Sequence, residues 1–196
     1  MTADVLAALP YSSPESFLYF FWMIGFFLAL AGQYIDYDYF ASLKRAHIVP
    51  EFTPNFRVLW LIIWFLVTVL AALSGWFMRS ESTTDGPGTN EVLAFWILLH
   101  IFAVMLLLWC VLFFSHLHQI GWALVVLTIT VAVAITLTVL AFITRVDAGV
   151  CILLVTLFLV YAWIINIYVY RRRGDIKHTM KYRTSSRIAV DNVTTE

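Results

Sequence analysis

Five stretches of this sequence carry no charged side chain. They are Phe17–Ile35, Val58–Met78, Val92–Ser115, Ile120–Thr144 and Ala148–Tyr170, each about 19 to 25 residues long. About 20 apolar residues suffice to cross a bilayer as a helix. A membrane strand needs only about ten, alternating in polarity, so runs of this length do not suit strands. Composition agrees. Hydrophobic residues make up 62% of the chain and charged residues 12%, against roughly 45–50% and about 25% in a soluble domain. The sequence therefore predicts an all-α membrane protein, a five-transmembrane-helix bundle in one domain. Residues 1–16 form a polar lead, 17–174 the membrane domain with a lid-like loop at 34–56, and 175–196 a polar basic tail.

The formal net charge is +0, so bulk charge implies no nucleic-acid partner. Its distribution says more. Lys44, Arg45 and Arg57 lie between the first and second runs. Arg171, Arg172, Arg173, Lys177, Lys181, Arg183 and Arg187 follow the fifth. With five spans these regions share one side, and the other side holds only Arg79 and Arg145. Basic residues stay cytoplasmic, so the C-terminus is expected in the cytosol. Asp4 and Glu15 are the only charges before the first run, which argues against a cleaved signal peptide. Cys110 and Cys151 both fall inside runs and give no redox evidence.

The stretch Phe113 to Leu124, FFSHLHQIGWAL, joins two apolar runs across a very short connection. Two spans meeting so tightly must lie antiparallel and packed. A ligand entering from the membrane surface would first meet side chains at this aromatic, His-containing corner.

The longest loop, Tyr34 to Phe56, holds Tyr34, Tyr37, Tyr39 and Phe40 at spacings that suit a membrane interface. Pro50 and Pro54 prevent regular structure in its second half. The aromatic content favours an ordered lid, with Phe40, Pro50, Phe52 and Pro54 as its candidate residues. Gly25, Ala29 and Gly32 in the first span, Ala71 and Gly75 in the second, and Thr128, Ala132 and Thr136 in the fourth form small-residue faces. Other helices can approach closely there, within the chain or from a second copy of it.

In the third run Trp96 and His100 stand one turn apart. An ionisable side chain at mid-membrane depth is a functional candidate. A neutral imidazole bonded to a helix carbonyl, or to a threonine of the fourth span, accounts for His100 equally well. His116 and His118, two apart, diverge by roughly 200° on a helix. No acidic or cysteine partner stands at ligand spacing, so no metal site is expected. The spans hold no paired carboxylates and no nucleophile beside a base, so catalysis is not expected either.

These features resemble the translocator protein family, the tryptophan-rich sensory proteins. FFSHLHQIGWAL is similar to that family's FFG-x-x-Q-x-G-W-A-L corner between its third and fourth helices. FASLKRAHIVPEFTPNFRVLWLIIW is similar to its first loop and second-helix start. On that alignment Phe40 stands for a loop tyrosine, Trp60 for the helix-start tryptophan and Trp64 for a tyrosine. Trp109, Trp122 and Asn166 align with two tryptophans and an asparagine. There are departures. Ala46-His47-Ile48 replaces a Pro-Ser-Trp, Leu106 and Leu107 replace an Asn-Trp pair, and Leu154 to Phe158 replaces a Pro-Tyr-Leu-x-Trp.

The resemblance implies an intramembrane pocket for flat hydrophobic ligands such as porphyrins, haem precursors or sterols, with no cofactor required. It also implies a mitochondrial outer membrane or endomembrane location in a eukaryote. Trp60, Trp64, Trp109, Trp122 and Phe158 are the expected walls, because indole rings offer flat stacking faces and one polar N–H. His100 and Asn166 are the expected polar contacts. Trp22, Trp76 and Trp163 read as packing or interface anchors. Trp60 starts its span, Trp109 ends its own and Trp122 starts the next, so alternating direction sets all three at one depth. A pocket would turn these indoles inward, and an interfacial belt would turn them outward. The other function that fits is a regulatory or scaffold membrane protein with a vestigial pocket.

Overall fold

The computed structural model describes residues 13–33, 43–44, 47–50, 56–81, 89–114 and 119–172. Side chains at several helix ends, Trp60 among them, fall outside that description, as do Phe40, Phe52 and Pro54. Five long helices make up the described chain: α1 (Ser13–Gln33), α2 (Phe56–Glu81), α3 (Thr89–Phe114), α4 (Ile120–Thr144) and α5 (Val146–Arg171). Three helical segments, Asn90–Phe114, Ile120–Thr144 and Val146–Arg171, are long and apolar enough to cross a membrane. The first two helices contribute shorter apolar segments, Phe17–Leu30 and Ile62–Met78.

The helices close into a ring. α1 packs on α2, α2 on α5, α5 on α4, α4 on α3, and α3 returns to α1. α2 also touches α3 and α4. The short connections dictate part of this order. Arg145 alone separates α4 from α5, in extended backbone at φ −154°. Its N–H bonds to the Ala141 carbonyl and its carbonyl receives the Gly149 N–H, so one residue both ends one helix and starts the next. The two helices must then run antiparallel in contact.

α4 is rich in β-branched residues, and its stretch TITVAVAITLT alternates like a strand. It is nevertheless helical, because a helix satisfies every backbone group within one segment of apolar surroundings. Its buried residues fall at helical spacing: Ile120, Ala123, Val126, Leu127, Thr130, Ala134, Leu137, Thr138 and Ala141. The seam with α5 is partly polar. The hydroxyls of Thr138 and Thr156 lie 2.9 Å apart, and Thr156 also reaches the Ala134 carbonyl at 3.2 Å.

Only some of the small-residue faces serve packing within the chain. Gly75 does: a Cβ there would meet the Phe20 ring at 2.5 Å, so α1 and α2 approach to a distance only glycine permits. On α1, Ala29 is exposed and nothing comes within 4 Å of a Cβ at Gly32. Thr128, Ala132 and Thr136 are exposed on α4. Gly25 of the first face lies toward α2, where a Cβ would come 4.0 Å from Thr68, and Thr128 of the second meets Trp163 of α5; Ala29, Ala132 and Thr136 point outward.

Candidate functional site

Trp64 on α2 and Trp109 on α3 are buried to 7% and 1% exposure, and they meet inside the ring. Their ring centroids lie 5.8 Å apart at 50°. Trp64 also meets the Phe158 ring of α5 edge-on at 5.6 Å. One indole thus ties three helices together. Trp109 continues the cluster on its own helix, stacking on Phe113 at 6.1 Å and meeting Phe114 at 5.7 Å. Offset and edge-on contacts of this kind suit the ring quadrupole and contribute about 0.5–1.5 kcal/mol each beyond burial.

Asn166, 1% exposed, lies two turns beyond Phe158 on α5. Its amide nitrogen donates to the Ala162 carbonyl at 3.2 Å. A carbonyl only accepts, so the amide is fixed in this sense and the oxygen turns elsewhere. That Oδ1 is buried without a hydrogen-bond partner, and so is the indole Nε1 of Trp109. Buried polar atoms are almost always paired.

At the end of the ring where α5 finishes, the described residues 43–44 and 47–50 between α1 and α2 pack onto the core. Ile48, Val49 and Leu43 are buried to 3% exposure or less and belong to the core, and Pro50 is buried beside them. A helix-terminating motif shapes the segment. The Ile48 N–H bonds to the Leu43 carbonyl and the His47 N–H to the Lys44 carbonyl, both at 3.0 Å. His47 takes the left-handed conformation at φ 53°. This is the hydrogen-bond pattern of the Schellman motif, and Ile48 and Leu43 both belong to the core. Arg172, at the end of α5, donates to the His47 carbonyl at 2.6 Å. Its guanidinium also lies 4.7 Å from the centre of the Tyr168 ring.

The expected site residues separate into three groups. Trp64, Trp109 and Asn166 are buried inside the bundle, Phe158 is half-buried against that core, and Pro50 is buried in the covering segment. Trp60 lies in α2, with its side chain outside the described residues, as are Phe40, Phe52 and Pro54. His100 and Trp122 stand apart. Trp122 is 65% exposed. It falls between the inward positions Ile120 and Ala123 and shares the outward stripe of Val125 and Ile129. The indole does not line the interior with Trp109, which corrects the expectation that equal depth implies one pocket.

His100 belongs to the seam between α1 and α3. Its Nδ1 lies 2.7 Å from the Trp96 carbonyl and its Nε2 2.7 Å from the Tyr19 hydroxyl. The carbonyl can only accept, so the proton sits on Nδ1 and Nε2 accepts from Tyr19. Both nitrogens are satisfied by protein. Of the two expected partners, the helix carbonyl is present, and Tyr19 of α1 takes the place of a threonine of the fourth span. Trp163 is a packing residue as expected, its indole N–H donating to Thr128 on α4 at 2.9 Å. Trp22 is 69% exposed, and Trp76 stacks on Phe77 at 5.2 Å.

Sequence reasoning missed Tyr19, Ile48, Val49 and Arg172. Arg172 was readable only as one of a basic run, and no local pattern marks it as the partner of a loop carbonyl. Residues 115–118 of the corner lie outside the described residues. Among the described residues no group of three or more His, Cys, Asp or Glu side chains could hold a metal ion. In comparisons with known proteins, no family model matches the sequence and no curated protein matches it.

Proposed function

We propose that the chain is a five-span membrane protein that binds a flat hydrophobic ligand, a porphyrin, haem precursor or sterol, among Trp64, Trp109 and Phe158. The segment around Ile48 to Pro50 acts as its lid. The observation that carries this reading is Trp64, whose ring touches aromatic rings of two other helices beneath a covered end of the bundle. Flat rings gathered from three helices, with few polar groups, are what a flat apolar ligand needs. The resemblance of the corner and loop motifs to translocator proteins points the same way. The ten-to-two distribution of basic residues supports a cytosolic C-terminus, which sets the lid on the cytosolic side.

A titration of the purified chain with protoporphyrin dimethyl ester, followed by tryptophan quenching, tests the reading. Saturable binding is expected. Trp64→Ala or Trp109→Ala should weaken it by about 1–3 kcal/mol, in line with losses on removing an aromatic stacking partner. Trp122→Ala should change it little, because that indole faces outward. Equal effects from Trp109→Ala and Trp122→Ala, or no saturation, overturn the reading. A regulatory or scaffold protein with a vestigial pocket is the second reading. The direct contact of Trp64 with both Trp109 and Phe158 favours it, and absence of saturable binding would select it.

A further inference from the structure

The bundle interior contains a donor and an acceptor that the protein leaves uncommitted. Trp109 Nε1 and Asn166 Oδ1 are buried without hydrogen-bond partners, each on a side chain 1% exposed. Each residue sits five positions before the last residue of its helix, Phe114 in α3 and Arg171 in α5. α3 and α5 both run toward the covered end, so the two groups lie at one depth, about 7.5 Å inside the helix ends at 1.5 Å per residue.

The rest of the interior sharpens the point. Among the described residues the buried polar side chains are Thr68, Ser74, Thr130, Thr138, Thr156 and Asn166, and none is charged; the buried carboxylate oxygen Glu91 Oε2 belongs to the first turn of α3, at the opposite end of that helix from Trp109. The five hydroxyls lie within hydrogen-bond distance of carbonyls of their own helices, from 2.7 to 2.9 Å. They offer little to a ligand. A buried donor or acceptor left unpaired costs about 1–3 kcal/mol. A buried carboxylate without a counter-charge costs several kcal/mol, even after relaxation.

From this arrangement we infer that the ligand is electrically neutral and presents both a hydrogen-bond acceptor, to Trp109 Nε1–H, and a donor, to Asn166 Oδ1. This inference rests on the proposed pocket and narrows its ligand class. A dicarboxylate fails twice: it brings charge to an uncharged interior, and it offers only acceptors when ionised. A neutral ester removes the first fault and keeps the second. A neutral amide or alcohol meets both groups.

Three forms of one macrocycle separate these terms: protoporphyrin bis-propionamide, its dimethyl ester and the free diacid. Each is titrated against the full chain in nanodiscs of uncharged lipid, near neutral pH, with tryptophan quenching as the readout. The diamide should bind at least about tenfold more tightly than the diacid, a factor equal to about 1.4 kcal/mol. The ester should fall between them. Asn166→Leu should retain ester binding, which shows that the variant folds, and should abolish the preference for diamide over ester. Trp109→Phe should weaken both neutral forms. A diacid that binds as tightly as the diamide, or a diamide preference that survives Asn166→Leu, overturns the inference and leaves the pocket standing. If none of the three saturates, the pocket falls and the inference with it.

Discussion

The guanidinium of Arg172 donates a 2.6 Å hydrogen bond to the backbone carbonyl of His47, across 125 positions of sequence. The bond joins the last turn of α5 to the segment that covers the ring. Hydrogen bonds with an ionised donor contribute about 1.5–3 kcal/mol when well shielded. This one is exposed to solvent and is worth less. Arg172→Ala should therefore loosen the covering segment without unfolding the bundle. Hydrogen exchange at the His47 and Ile48 amides should quicken about fivefold, the ratio for about 1 kcal/mol, while the core amides of α4 keep their protection. Unchanged exchange at both amides would mean that buried Ile48 and Val49 hold the segment without the arginine.

His47 stands where the helix-ending motif calls for a left-handed residue. That conformation costs about 1–2 kcal/mol for a residue with a Cβ, and glycine escapes the penalty. His47→Gly keeps the carbonyl that Arg172 reaches. It should raise the melting temperature by a degree or more, since about 1 kcal/mol shifts a chain of this size by about 2–4 °C, less the extra entropy glycine loses on folding. His47→Val should lower it. A drop with glycine would show that the imidazole itself stabilises the segment.

Gly75 and Phe20 set the spacing of α1 and α2. A Cβ at residue 75 would come 2.5 Å from the Phe20 ring, and that ring is fully buried and cannot swing aside. Gly75→Ala should destabilise the protein by about 1–3 kcal/mol, the usual cost of overpacking. Phe20→Leu in the same chain should recover part of the loss. Thermal unfolding of the two single variants and the double variant measures the coupling, and strict additivity would contradict the contact.

Tyr19 and His100 form the polar link between α1 and α3. Tyr19→Phe leaves Nε2 of His100 without its donor, and His100→Phe removes both of its bonds. Hydrogen bonds between membrane helices average about 0.6 kcal/mol and reach about 1.7 in double-mutant cycles. The Tyr19/His100 cycle should yield a coupling within that range, measured by denaturant unfolding in micelles. A coupling of zero would mean that the 2.7 Å contact contributes nothing to the seam.

The helices were legible because charge-free runs of this length leave a chain few choices. The ring order was not legible, since it depends on which faces meet, and these helices are apolar nearly all round. Trp64, Trp109, Phe158 and Asn166 were readable as site candidates; three are buried and Phe158 is half-buried against them. Trp122 was misplaced because depth follows from helix direction, whereas facing follows from rotation about the helix axis. A corner of five residues, 115–119, fixes the first and not the second. The helix carbonyl expected for His100 is there, and its second partner, Tyr19, was not foreseen for a related reason: α1 is far away in sequence but adjacent in the ring. The Arg172 contact could not be read at all, because a backbone carbonyl leaves no trace in the residue type that carries it.

On the outer surface of α4, Thr136 donates its hydroxyl proton to the Ala132 carbonyl at 3.1 Å, and exposed Thr128 is bonded the same way to Leu124 at 2.8 Å. A threonine so folded back shows surrounding acyl chains its methyl group and an oxygen whose proton is already spoken for. By partitioning, α4 is thus a more oily segment than its five threonines between Thr128 and Thr144 suggest. It can enter the hydrocarbon layer before any neighbouring helix arrives to shelter those hydroxyls, so insertion of α4 need not await assembly of the ring.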